Sequence, residues 1–441
     1  MWVDTYPYVR LHQPHPMFTA GNIPWTLGEK PGYLATKTEA LNHLEHCLNV
    51  IKRDVSVTEL FGWTAVSHDE TSAGVLVHCR SSEGESLTID AKRLINAHGY
   101  RIDPNNPLVL SSARVNSVSP DSCDVRSGAM ADDGAPVWVV GGGKTGMDTA
   151  HALIERYPGR EVNLVAGSGT YFGRRDRLFP GGAGRWWRGT QIGVVARRTA
   201  LRFDGTNESE VAEWYRKKYA TWVTPTARNY MLGILSDAES KTIAAGMNSV
   251  VMDHLVDVLD RDGTTEMVFR TGATKPVEPG SWIVNCTGYV MRKDVPYEPF
   301  VSCGGAVLSI QTRSAALHLS SFAGYFLTHL LFLNLLRDTE LCELDLQEMQ
   351  KKSKVALPYV MFSLVQHNIS VMGDCLPGRV FGECGLDFDL WYPYPRRLVG
   401  SAPFLLKHRR ERAQHRRTLE TVRQRFDVRC GPLPTNGSRQ T

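Results

Sequence analysis

The 441-residue sequence has nine cysteines but no pair with the CxxC spacing, so a dithiol relay of the thioredoxin-reductase type is excluded. An odd, scattered set reads as reduced, mostly buried thiols of an intracellular, cytoplasmic protein. The opening MWVDTYPYVRLHQPHP has no basic stretch leading into an apolar one, so no secretory signal is read there. Charge of one sign is also lacking. The 50 Lys and Arg stand against 46 Asp and Glu, and the net +4 selects no nucleic-acid partner. No GxSxG stretch supports a hydrolase triad. His43 and His46 lie three apart near Cys47, but no further ligand follows at a suitable spacing, so no metal site is expected. No short-period repeat occurs. With 42% hydrophobic and 22% charged residues, the composition is that of an ordinary globular chain with two or three domains.

The regular elements follow from periodicity. Residues 1–36 read as extended loop, rich in Pro, His and aromatic side chains. Leu41, Leu44, Leu48 and Ile51 predict an amphipathic helix over 38–53. Short strand-like runs at 55–61, 74–79, 86–89 and 93–97 are separated by turn residues and predict an antiparallel meander. Residues 101–135 read as linker. A strand at 137–140, a helix ending before Pro158-Gly159 and a strand at 162–166 come next. Residues 167–205 read as irregular. Helices are expected over 208–219 and 237–259, and strands at 267–270, 282–285 and 305–311.

The strongest feature is Val137-Trp138-Val139-Val140-Gly141-Gly142-Gly143-Lys144-Thr145-Gly146-Met147-Asp148, a GxGxxG pattern between an apolar strand and a helix, with a second strand following. That context is what a dinucleotide site requires, whereas a bare GxGxxG is equally a plain turn. Gly141 permits the tight turn, Gly143 lets the backbone approach a pyrophosphate, and Gly146 lets helix and strand pack closely. The pyrophosphate would lie on the helix N-terminus, with Lys144 and Thr145 in its first turn. The second strand ends Ala166-Gly167-Ser168-Gly169 without the acid that an NAD site places on the ribose, and Arg174, Arg175 and Arg177 follow. A missing acid with nearby arginines favours NADP over NAD. The chain also echoes itself. Leu94-Ile95-Asn96-Ala97-His98-Gly99-Tyr100 resembles Ile283-Val284-Asn285-Cys286-Thr287-Gly288-Tyr289, and the two copies bracket the glycine motif. A chain that leaves one nucleotide-binding domain, builds an inserted one and returns would make two such crossings.

With these motifs the sequence resembles the two-dinucleotide-domain flavoproteins, the group of flavin-containing monooxygenases and related FAD/NAD(P)-dependent oxidoreductases, over about residues 1–345. The resemblance rests on the 141–148 motif, on Asn285-Cys286-Thr287-Gly288-Tyr289 as the strand returning to the FAD domain, and on Tyr6-Pro7-Tyr8-Val9-Arg10-Leu11-His12-Gln13-Pro14 as a segment covering the flavin. It implies an α/β fold with a Rossmann-type NADP domain inserted in an FAD-binding domain. The expected segments are 1–132 (partial FAD-type), 133–280 (NADP), 281–345 (return to the FAD type) and 346–441 (helical, with a basic end). It implies NADP and FAD as cofactors and NADPH-dependent oxidation of a small organic molecule. It places Arg10, His12, Gln13, Thr287, Gly288 and Ser314 near the flavin, Ser314 as the N-cap of the helix 315–336. Members of the group begin with their own strand–GxGxxG–helix unit for FAD. This sequence has none, so its FAD-type domain is expected to be incomplete; a start at an internal Met would produce the same pattern. A non-catalytic nucleotide-binding protein that has lost FAD is the rival reading.

Two stretches suggest membranes or polyanions. Residues 315–336 carry no charge, but His318, Ser320, Ser321, Thr328, His329 and Asn334 interrupt them, which favours a buried helix over a span. The final helix, 404–426, carries eight Lys and Arg, offset by Glu411 and Glu420 and without interleaved aromatics; it reads as a solvated basic face.

Overall fold

The computed structural model describes residues 2–97, 105–121, 130, 133–288, 291, 294–317, 320–385, 387 and 389–433. His98–Tyr100, Tyr289 and His318 lie outside them. After an extended first segment, helix α1 (Lys37–Asp54) starts at a capping box. Thr36 Oγ1 accepts the Glu39 N–H, and the Glu39 carboxylate accepts the Thr36 N–H at 2.7 Å. β1 (Trp63–Glu70), β2 (Val75–Ser81) and β3 (Ser86–Ala91) form the expected meander, but its first strand lies later than 55–61. Only 63–70 is in register with 75–81, so the Val55–Phe61 run stays exposed and unpaired. β4 (Leu94–Asn96) follows.

The chain then runs through β5 (Asn116–Val118), β6 (Val137–Val140), α2 (Lys144–Arg156), β7 (Val162–Val165), β8 (Thr170–Arg174), α3 (Arg175–Leu178), α4 (Ile192–Arg202), α5 (Glu208–Tyr219), β9 (Ala220–Trp222) and β10 (Asn229–Leu235). It continues with α6 (Asp237–Gly246), β11 (Ser249–Val251), β12 (Leu255–Arg261), β13 (Thr264–Phe269), β14 (Thr274–Pro276), β15 (Trp282–Asn285) and β16 (Val307–Ser309). The last elements are α7 (Ser320–Phe332), β17 (Cys342–Leu344), α8 (Leu346–Lys352), α9 (Leu357–Cys375), α10 (Gly378–Glu383), α11 (Tyr394–Phe426) and β18 (Cys430–Pro432).

The central sheet is parallel, in the order β11-β7-β6-β15-β5. Both of its faces are covered, as parallel sheets require. Val137, Val139, Val162, Leu164 and Val284 face α2 and α6, where they meet Met147, Leu153 and Ile243. Trp138, Val140, Val165 and Ile283 point the other way, onto Val258, Met267 and Phe269 of the antiparallel β12–β14 meander. The sheet recruits β5 and β15 from outside 133–280.

The two echoing segments occupy equivalent places. β15 follows the β12–β14 meander and joins a five-stranded parallel sheet. β4 follows the β1–β3 meander and pairs in parallel with β16, in a sheet of two strands. Val75, Val77 and Cys79 of the first meander bury against Ala306 and Val307.

Three expectations give way here. Residues 167–205 are not irregular: β8 pairs with both β9 and β10, and α4 buries Val195, Ala196, Thr199 and Ala200. The helix expected over 237–259 stops at Gly246, and β-branched Val250, Val251, Val256 and Val258 continue as strands. A Cβ at Gly246 would lie 2.4 Å from Ile154 Cγ2, so this glycine lets α6 lie against α2. Ser314 does not cap a helix: Ala315 is bridged to Leu344 and exchanges both backbone hydrogen bonds with it, so the chain is extended there, and α7 begins at Ser320. α7 is a buried element. Phe322, Ala323, Phe326, Leu327, Leu330 and Leu331 sit in its core, and no helix of the described residues is long and apolar enough to cross a membrane.

The C-terminal region is helical, and its helices pack into the body of the molecule. Tyr171, Phe203, Val211, Tyr215, Tyr219 and Tyr230, from the stretch between β7 and α6, share one core with Leu357, Tyr359, Val360, Leu419 and Val422. α9 is its axis, with α4 and α11 packed against it.

Candidate functional site

The glycine motif forms the turn from β6 to α2 at the carboxyl ends of the parallel strands. The chain passes from β6 to β7 and β11 on one side and returns to β15 on the other, so β6 and β15 bound the switch point where open α/β sheets take their ligands. Gly141 has φ +129°, and a Cβ on it would lie 2.3 Å from the Cys286 carbonyl oxygen of the neighbouring crossing. A Cβ at Gly146 would come within 1.9 Å of the Gly141 carbonyl. Both positions therefore exclude any side chain. Gly143 differs: it is the N-cap, has ordinary φ −81°, and nothing lies within 4 Å of where its Cβ would be. The backbone is open on that side.

The helix start behind it is uncapped. Among the described residues no side-chain cap bonds the first turn of α2, and the first intrahelical bond runs from the Met147 N–H to the Gly143 carbonyl at 3.0 Å. The N–H groups of Lys144, Thr145 and Gly146 thus have no acceptor in the helix. Three free donors at a positive dipole end, under an open glycine, fit the pyrophosphate of a nicotinamide dinucleotide. Lys144 folds back into an ion pair with Asp148, whose other oxygen accepts the Tyr6 hydroxyl at 2.8 Å. Tyr8 and Thr149 share a hydroxyl hydrogen bond of 2.8 Å, so the N-terminal segment is pinned along α2.

Thr287 and Gly288 stand at the same switch point. Thr287 Oγ1 donates to Asn285 Oδ1 at 2.7 Å, and Asn105 Nδ2 donates to the carbonyls of Asn285 and Thr287 at 3.1 and 2.6 Å. Asn105 Oδ1 is buried without a partner among the described residues. His12 lies beside Lys144 and Arg175. Its surroundings are dense although some of the residue reaches solvent, and burial, with those two cations, pushes its imidazole down to about 3. It is neutral at physiological pH.

The other predicted residues are dispersed. Arg175 donates to the His12 carbonyl at 2.8 Å and makes a two-pronged pair with Glu239 at 2.7 and 3.2 Å; Arg174 pairs with Asp237 at 3.1 Å. Both arginines are held by the first turn of α6. Arg10 lies over the Tyr33 ring and donates to the Leu34 carbonyl at 3.0 Å. Gln13 makes a local contact with the Met17 carbonyl. Ser314 is buried, its hydroxyl without a partner among the described residues. Ser168, past the end of β7, accepts from Asn229 Nδ2 at 2.7 Å.

What flanks Ser168 comes from distant parts of the chain. The His254 ring lies against Gly167, with its Nε2 3.0 Å from where a Cβ on that glycine would stand, and exposed Arg228 and Arg270 have backbones tied to Gly169 and His254. Burial, followed by Arg270, lowers the His254 pKa. These residues lie 60 and more positions downstream of Ser168 in the sequence, so no local motif announces them.

No family model matches the chain, and no curated protein sequence matches it. Solved structures do. The chain is similar to flavin-dependent monooxygenases. S-allyl-L-cysteine S-oxygenase from Allium sativum aligns at 13% identity over 96% of this chain and 84% of its own, with a TM-score of 0.42. Cyclohexanone monooxygenase aligns at 14% over 65% and 66%, with a TM-score of 0.40. The ornithine N-hydroxylase of Kutzneria sp. 744, in a structure with reduced FAD and NADP+, aligns at 14% over 58% of this chain, with a TM-score of 0.36; the match spans 60% of that enzyme.

Among the described residues no second glycine turn opens a helix at the ends of β4 or β16, so they offer no cradle of this kind for an FAD pyrophosphate. They also contain no group of three or more His, Cys, Asp or Glu that could hold a metal. His43 is stacked on Trp25 at 3.9 Å, and its Nε2 is 3.5 Å from Cys47 Sγ.

Proposed function

We propose that this chain is an NADPH-dependent oxidoreductase of the flavin-dependent monooxygenase type, acting on a small organic molecule. The observation that carries the reading is the open, uncapped glycine turn at the sheet's switch point, with Gly143 clear on one side and Gly141 and Gly146 closed on the other. The N–H groups of Lys144, Thr145 and Gly146 would hold the pyrophosphate, and the Lys144–Asp148 pair would fix the rim. NADPH bound there supplies a hydride. Thr287 and Gly288 would border the nicotinamide half, on the β15 side. His12, neutral and close to Lys144, adds no positive charge to the rim at physiological pH.

For the adenosine half, Ser168 with Arg228, His254 and Arg270 would receive the 2′-phosphate. Arg174 and Arg175 are less suited, since both are engaged by carboxylates. Arg228→Ala/Arg270→Ala is expected to weaken NADPH by about tenfold, roughly 1.4 kcal/mol, and to leave NADH unchanged. Fluorescence titration with the two cofactors checks this; equal losses for both would remove the 2′-phosphate assignment.

The reading as a whole is tested by purifying the chain, adding FAD and NADPH, and following flavin absorbance and NADPH oxidation. Flavin retention with NADPH consumption supports the oxidoreductase. NADPH binding with neither assigns the chain to non-catalytic nucleotide-binding proteins.

A further inference from the structure

Two segments distant in sequence meet on the side of the molecule formed by α4 and α11, and both are without acid. Residues 177–203 contain six Arg and no Asp or Glu; residues 391–410 contain five Lys and Arg and no Asp or Glu. They are stitched together by polar contacts. The Arg396 guanidinium donates to the carbonyls of Arg185, Arg188 and Gly189 at 2.9, 2.6 and 3.0 Å. Gln191 Nε2 returns a bond to the Arg396 carbonyl at 3.0 Å, and the Trp391 indole donates to the Pro180 carbonyl at 2.9 Å. The surface is therefore built from both segments.

What it presents is apolar and cationic together. Trp187 is 68% exposed, Val399 75% and Leu406 80%, and Trp186, Leu398 and Leu405 are also exposed. Leu398 and Leu405, like Val399 and Leu406, are seven apart on α11 and form one stripe. Pro403 within this stretch removes a backbone donor and leaves the Val399 carbonyl without its helical partner. Arg188, Arg198, Lys407 and Arg410 are exposed along the rim. A groove of about 320 Å³ lies between α4 and α11, with Val194, Val399 and Pro403 as its apolar wall and Arg198 at its edge. α11 has only Tyr394, Phe404 and Phe426 as aromatic residues of its own, and the fold brings Trp186 and Trp187, at the end of the 182–186 turn, to its N-terminal half.

We infer that this face docks on the surface of an anionic phospholipid bilayer. Exposed Trp and Leu side chains enter the boundary between headgroups and acyl chains. Arg197, Arg397 and Arg409 are paired with Glu411, Asp387 and Asp374, and the charge that meets the negative headgroups is that of Arg188, Arg198, Lys407 and Arg410, which have no ion pair among the described residues. The protein lies on the membrane rather than spanning it, in keeping with the absence of a spanning helix among the described residues. A nucleic acid would be met by the charge but gives no reason for aliphatic side chains at the centre of the patch.

The test is co-sedimentation of the full chain with vesicles of phosphatidylcholine alone and of phosphatidylcholine mixed with phosphatidylserine. Binding to the mixed vesicles only, weakened by salt, is expected. Trp186→Ala/Trp187→Ala and, separately, Leu405→Glu/Leu406→Glu should weaken it by about tenfold or more. These positions are exposed, so circular dichroism should be unchanged. Gly143→Val should bind vesicles as wild type does, which separates this inference from the cofactor site. Absence of vesicle binding, or binding indifferent to both variants, overturns the inference. So does a dimer in sedimentation equilibrium that the Trp variant dissociates, since the face would then be covered by a second copy.

Discussion

Gly143 and Gly146 are three residues apart and have opposite surroundings, which makes them separable by substitution. Gly143→Val places a side chain in open space at an ordinary φ, so stability should hold while NADPH affinity falls by about tenfold or more, over 1.4 kcal/mol. Gly146→Ala drives a methyl into the Gly141 carbonyl and should cost about 1–3 kcal/mol of stability, read in a urea melt. His12 gives a second test at this scale. Its folded pKa is lowered from 6.5 to about 3, so the unfolded chain takes up the proton first, and this residue's contribution to stability is lost as pH falls through that window. The Cε1 proton resonance of His12 should therefore not titrate between pH 8 and about pH 5, well above its lowered pKa. A midpoint near 6.5 would contradict the environment described.

At the scale of elements, the short β17–β18 ribbon carries a buried acid. Glu343 accepts the Tyr297 hydroxyl at 2.8 Å, its other oxygen has no partner among the described residues, and the Arg429 guanidinium stacks on the Tyr297 ring at 3.5 Å. Burial, with Asp345 adding to it, raises its pKa from 4.5 to about 7. A raised carboxyl pKa means stability present below about pH 4.5 and lost as pH rises through 7. Glu343→Gln should remove that loss, a gain on the order of 3 kcal/mol at pH 8. Melting temperatures across this range check it; parallel curves for the two proteins would contradict it. Elements whose signals are local were legible in the sequence. The spacing of Leu41, Leu44, Leu48 and Ile51 announces α1, and the apolar run before Gly141 announces β6. Elements set by distant partners were not. Ser236-x-x-Glu239 starts α6, but its end depends on Gly246 meeting Ile154, and β8 exists because residues 220–222 and 229–235 flank it. Ser314 failed for the same reason: its neighbour Ala315 is claimed by Leu344, 29 positions away.

Across the whole molecule, the glycine turn was legible and the surroundings of Ser168 were not, because His254 and Arg270 arrive there only through the β11–β13 excursion. The C-terminal region is helical as the sequence indicates, and its α9 and α11 complete the core of the 170–235 stretch. Removing residues 394–433 should therefore expose Leu357, Val360 and Phe203 and leave an aggregating chain rather than a trimmed one. Limited proteolysis and light scattering check this; a monomeric, melting-competent fragment would contradict it. The turn between β6 and α2 is where NADPH binding is decided in the proposed function. This role is tested most directly by titrating NADPH into the wild-type chain and the Gly143→Val variant under conditions where circular dichroism shows both folded. Saturable binding to the wild type and a loss of about tenfold or more in the variant is the predicted result. Equal affinity in the two proteins, or no binding to either, would contradict it.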